Sequence, residues 1–188
     1  QYNPAKSTVE VADISVDSPG EMTARLQILN MHGTILADHS APVSIDRDQT
    51  VTVMPVEKPD EEVYFLRLYL TKDGKLISEN FYVEGRDTDN LKALRTLPTA
   101  TVETKSHFQQ APNGDWTGTA TVTNPGNSPA LLIRLCLKGN DGEQILPVIY
   151  SDNYFALMPG ESRTVKVSFK KADARGCSPT IEASPFSF

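Results

Sequence analysis

The sequence predicts an all-β chain, two β-sandwiches in tandem joined by a short connector. Three observations point there. Apolar residues recur at alternate positions in one short run after another, the period of a half-buried strand. Clusters of Gly, Pro, Asn and Asp separate these runs at intervals typical of sandwiches. Outside one segment near residue 90, no stretch sustains an apolar stripe at helical spacing. The 188 residues suit two sandwiches of about 100 residues each. An apolar content of 39% is enough for packed cores.

Val9 to Val16 reads as an opening strand. Met22, Ala24, Leu26 and Ile28 then share one face of a strand, with polar residues on the other. Asn30-Met31-His32-Gly33 is a hairpin turn into the short run Thr34-Ile35-Leu36. Val51 and Val53 alternate with threonines, and Tyr64, Leu66, Leu68 and Leu70 alternate with Phe65, Arg67 and Tyr69. Lys72-Asp73-Gly74-Lys75 supplies the next turn, and Leu76 to Val83 the strand after it. These six or seven strands form the first sandwich, residues 1–84.

The alternation breaks at 85–98, the connector. There Asp89 or Asn90 is placed to cap a short helical turn through Leu91 to Arg95, which Pro98 stops. The pattern restarts in residues 99–188. Trp116, Gly118, Ala120 and Val122 alternate with four threonines, and Asn124 to Pro129 is a dense turn cluster. Leu131, Ile133, Leu135 and Leu137 make the next inward face. Val165, Val167 and Phe169 make another, and Ile181 and Ala183 mark a last strand. Between these faces, Ser151 to Ser162 reads as a loop with aromatic anchors followed by a Pro-Gly turn.

A net charge of −6 and a pI near 5.1 argue against a nucleic-acid groove or an anionic membrane surface as partner. No apolar run approaches the roughly 20 residues needed to cross a bilayer. The chain starts at Gln1 without a signal segment before its first strand, so a removed leader and a piece of a longer chain are both open. Cys136 falls on the polar phase of its strand and Cys177 in a turn. Two unpaired thiols fit that placement; one disulfide between them is the alternative.

Few residues suggest chemistry. Glu57, Asp60, Glu61 and Glu62 crowd around Pro59, but they lie between strands and read as an exposed loop, with nothing to desolvate one carboxyl. Asp87, Asp89 and Asn90 lack the spacing that wraps a calcium ion and fit turn and capping roles better. Trp116 shares its phase with core residues, so packing explains it more simply than sugar stacking. Lys166, Lys170, Lys171 and Arg175 read as a solvated edge. The candidate ligand-binding residues are Asp152, Asn153 and Tyr154, where carboxylate, amide and aromatic groups gather beside Tyr150 and Phe155. The competing account has the aromatics plugging the sandwich end while Asp152 and Asn153 bond to loop backbone. No catalytic residue, metal site or cofactor is expected.

Several segments resemble the C-terminal part of family 2 glycoside hydrolases of the exo-β-glucosaminidase and β-mannosidase type. They are Val63 to Leu70 with Asp73-Gly74-Lys75 and Ser78-Glu79-Asn80-Phe81-Tyr82, then Leu91 to Pro98, then Thr121 to Gly126. Leu146-Pro147-Val148-Ile149-Tyr150-Ser151-Asp152-Asn153-Tyr154-Phe155, leading to Pro159-Gly160-Glu161, completes the series. One position departs, since Val83 follows Tyr82 where that family often has Trp. The resemblance covers most of residues 63 to 169. It implies a pair of immunoglobulin-like domains that support a catalytic barrel acting on β-linked glucosaminides or mannosides. The two carboxylates of a retaining mechanism would then lie outside this chain. The implied partners are that barrel and its carbohydrate substrate, and the implied location is periplasmic or secreted. An independent carbohydrate-binding module and a surface adhesion or scaffold protein are the competing readings.

Overall fold

A computed structural model describes residues 1–14 and 20–188. Its contacts divide the chain into two compact units, Gln1–Leu94 and Arg95–Phe188.

The first unit holds seven strands: β1 (Tyr2–Asn3), β2 (Thr8–Ala12), β3 (Gly20–Asn30), β4 (Ile35–Ile45), β5 (Thr50–Pro55), β6 (Val63–Lys72) and β7 (Lys75–Gly85). They form a three-stranded sheet, β1-β2-β5, and a four-stranded sheet, β4-β3-β6-β7, antiparallel throughout. Leu26 and Ile28 from β3 meet Tyr64, Leu66 and Leu68 from β6 and Val9 from β2 in one cluster. Met22, Ala24, Val43 and Ile45 extend the core with Val11.

Three features differ from the sequence reading. The opening strand ends at Ala12, and Val16 lies outside the described residues. The strand after the Gly33 turn is not three residues long but runs to Ile45 through Pro42. Its place at the sheet edge explains the tolerance, because an edge strand can do without one N–H. Finally, β6 does not alternate between core and solvent. Val63 to Leu68 are all buried, including Phe65 and Arg67, so both faces of this strand are covered, and Phe65 packs on Phe81 at 5.3 Å.

A 3₁₀ segment, Thr88–Thr96, follows β7. Asp87, and not Asp89 or Asn90, caps it: its carboxylate accepts the backbone N–H groups of Asp89 at 3.0 Å and Asn90 at 3.1 Å. Asp89 in turn pairs with Lys92 at 2.7 Å, so both carboxylates of this stretch have protein partners.

The second unit holds β8 (Glu103–Gln110), β9 (Trp116–Thr123), β10 (Ala130–Gly139), β11 (Ile149–Tyr150), β12 (Phe155–Leu157), β13 (Ser162–Phe169) and β14 (Pro179–Ser184). Two sheets result, β11-β13-β9-β8 and β12-β10-β14. Ala120, Val122, Ile133, Leu135, Leu137, Val165 and Val167 are buried between them. Leu131 is buried as well, but Leu132 is not: it sits at φ 48° where the β10–β12 register shifts between Ala130 and Ile133.

The turn cluster after β9 is knotted by one side chain. Fully buried Asn124 donates to the carbonyls of Ser128 and Leu157, both at 2.9 Å, and accepts the N–H of Gly126 at 3.1 Å. It thereby ties the end of β9 to the start of β10 and the end of β12. Cys136 and Cys177 are unpaired thiols.

Candidate functional site

The loop between β11 and β12 carries the three residues singled out as ligand candidates, and the structure gives each a different environment. β10 pairs with β14 along residues 134–139, while on its other edge β12 reaches only as far as the Ile133–Phe155 pair. Side chains of the loop take over where that ladder stops. Asn153 Oδ1 accepts the N–H of Leu135 at 2.7 Å, and its Nδ2 donates to the Leu135 carbonyl at 3.2 Å. One turn of strand further, the Tyr150 hydroxyl accepts the N–H of Leu137 at 2.8 Å. Burial raises the Tyr150 phenol above its ordinary pKa, with the Leu137 bond opposing it. The amide of Asn153 thus does the work of a missing strand residue, meeting the buried backbone's demand for partners.

Asn153 Oδ1 also accepts the N–H of Tyr154 at 2.9 Å. This holds Tyr154 at φ 59°, a left-handed conformation uncommon for a bulky residue, with 60% of its surface exposed. Phe155 turns the other way into the core and belongs to a short strand, not to the loop in which its sequence placed it. Asp152 Oδ2 pairs with Arg163 Nη1 at 2.5 Å, and the same guanidinium lies 5.0 Å from the centre of the Phe155 ring. Asp152 is therefore a second support of the loop from β13. Sequence reading did not find Arg163, because nothing in a strand's alternation says which loop its outward cation will meet.

Elsewhere on this unit, the outer face of β11-β13-β9-β8 forms a cleft of about 510 Å³ lined by His107, Thr119, Ile149, Lys166 and Ser168. A neighbouring groove of about 400 Å³ is edged by Asp115, Trp116, Phe169 and Lys170. The Asp115 carboxylate is tied to Lys170 at 3.0 Å, and Trp116 stacks parallel to Phe169, 6.0 Å between centres, against the core. In the first unit, Asp60 of the acidic loop pairs with Arg86 at 2.5 Å. Among the described residues, no group of three or more His, Cys, Asp or Glu is placed to hold a metal ion. No helix among them is long and apolar enough to cross a membrane.

The two antiparallel sheets of the second unit, packed over one core, define the class: an immunoglobulin-like β-sandwich. Residues 80–187 match the family described as the exo-beta-D-glucosaminidase Ig-fold domain, and the chain belongs to that family. It is 30% identical to an exo-beta-D-glucosaminidase of Streptomyces avermitilis over 98% of this chain and 23% of that protein. It is 28% identical to one of Hypocrea jecorina over 88% of this chain and 21% of that protein. Among solved structures, Amycolatopsis orientalis exo-chitosanase shares the fold with a TM-score of 0.88 at 23% identity, over 98% of this chain and 25% of that one. A β-D-mannosidase from Dictyoglomus thermophilum shares it more loosely, with a TM-score of 0.55 at 11% identity over 96% of this chain and 22% of that one. The chain spans less than a quarter of the length of these curated relatives.

Proposed function

We propose that the chain is the accessory region of a longer polypeptide that hydrolyses β-linked glucosaminides, and that it supports the catalytic domain mechanically. The observation that carries this reading is the pattern of coverage: nearly all of this chain corresponds to about a quarter of each relative named for that activity. In this reading residues 1–84 and 99–188 are the two sandwiches and 85–98 the connector. Of the three ligand candidates, Asn153 and Asp152 hold the loop, and Tyr154 makes the outward contact. A polymeric glucosaminide is met outside the cell, which favours a periplasmic or secreted location.

The test compares the purified 188-residue chain with the full-length polypeptide on p-nitrophenyl β-glucosaminide. Turnover by the full-length protein and none by the chain is the expected result. Turnover by the chain alone, abolished by replacing one of its own carboxylates, would sink the reading.

A further inference from the structure

The outer face of the β12-β10-β14 sheet carries an apolar patch that its own unit does not cover. Leu132, Tyr154 and Phe186 are each about half exposed or more, at 48%, 60% and 57%. The sheet register brings them together. Ser184 pairs with Arg134, and beyond it the N–H of Phe186 donates to the carbonyl of Leu131, so Phe186 lies alongside Leu132. Tyr154 sits one residue beyond the Ile133–Phe155 pair, on the other side of β10. Phe188 packs edge to face on Phe186, 5.1 Å between centres at 73°.

Two of these residues, Leu132 and Tyr154, are held in the left-handed region, at φ 48° and 59°. A side chain with a Cβ adopts it at a conformational cost. Folding leaves about half of each side chain exposed, and Asn153 Oδ1 accepts the Tyr154 N–H, a bond that keeps Tyr154 in this conformation. Among the cations of this face, Lys138 is paired with Glu182, whereas Arg134, between Tyr154 and Ser184, forms no ion pair among the described residues.

We infer that this face is the docking surface by which the chain seats on the catalytic part of the same polypeptide, in an apolar socket edged by a carboxylate that meets Arg134. The inference rests on the proposed function and names the partner's chemistry. The occupant follows from two observations. In the solved exo-chitosanase this fold is only 25% of a longer chain, so three times its mass of polypeptide is at hand to cover the patch. The aromatic geometry disfavours a sugar, because rings crossed at 73° offer no flat platform to a pyranose, while Leu132 and Phe186 suit the apolar centre of a protein interface.

The experiment places a photocrosslinking amino acid in the full-length polypeptide, as Tyr154→p-benzoylphenylalanine, with Thr119→p-benzoylphenylalanine on the opposite sheet as control. Illumination followed by peptide mapping should give an intramolecular crosslink from position 154 to the catalytic part, several-fold above position 119. No such crosslink, equal yields at both positions, a crosslink only to added chitosan oligomers, or one only to a second copy would each overturn the inference. The reading frame around this chain decides the prior question separately: one without a catalytic domain removes the proposed function, and the inference with it.

Discussion

Asn124 and Asn153 show how much of this fold hangs on single amides. Each replaces backbone partners at a place where two strands part company, Asn124 between β9, β10 and β12, Asn153 at the end of the β10–β12 ladder. Asn124→Ala would strand two carbonyls and an N–H in a dry site, at about 3 kcal/mol. Urea unfolding followed by circular dichroism should show that loss, while Thr123→Ala, on the exposed face, should change little. The ionic bonds act differently. Asp38 is bonded by the Arg25 guanidinium at 2.7 Å and by Gln27 at 2.9 Å, and chiefly the Arg25 bond holds its carboxyl at about 2. Since the unfolded carboxyl titrates near 4, the stabilisation is complete above about pH 4 and is lost as the pH falls towards 2. Both groups are partly solvated, so the gain is about 1 kcal/mol or less. Asp38→Asn should therefore be less stable than the parent at pH 6, and the two should converge by about pH 2.

At the level of strands, legibility followed burial. β9, β10 and β13 bury mainly one face, and their alternation was readable. So was that of the first half of β3, whose second half, Leu26 to Leu29, is buried on both faces. β8 was not, because as an edge strand it buries almost nothing and its sequence, Glu103 to Gln110, has a single large apolar residue. β12 was missed for the opposite reason: three consecutive buried residues, Phe155 to Leu157, have no period to detect. β6 was recognised as a strand, but its alternation, with Arg67 in the second set, gives no hint that the Arg67 side would also be covered. The candidate site was legible only as a neighbourhood. Sequence placed Asp152, Asn153 and Tyr154 together, but which of them would face the backbone depended on where the β10–β12 ladder ends. Gly118 makes a strand-level prediction. A Cβ there would press into the His107 carbonyl and lie 2.5 Å from a ring carbon of Phe108. Gly118→Ala should push β8 from β9 and cost about 1–3 kcal/mol or more, read as a lowered unfolding midpoint and faster amide exchange in residues 103–110.

Across the whole molecule the two units are alike in architecture but not in charge. Residues 1–94 hold sixteen of the twenty-four carboxylates and nine of the eighteen Lys and Arg, so the net negative charge resides entirely in the first unit. The second unit, nearly neutral, contains both outward clefts and the patch around Tyr154. Family membership was readable from the order of short segments spread over about a hundred residues, whereas no single segment defined a site. That is the expected outcome for a domain whose residues serve packing first.

The stack of Trp116 on Phe169 has a practical consequence. Trp116 is the only tryptophan of the chain, and it lies in the second unit at the edge of the groove beside Asp115 and Lys170. Indole emission excited at the red edge of the tryptophan band is therefore a built-in reporter of residues 95–188 alone. The first unit holds Tyr2, Tyr64, Tyr69 and Tyr82 and no indole, so unfolding of the second sandwich can be followed by itself in the whole chain, without a label.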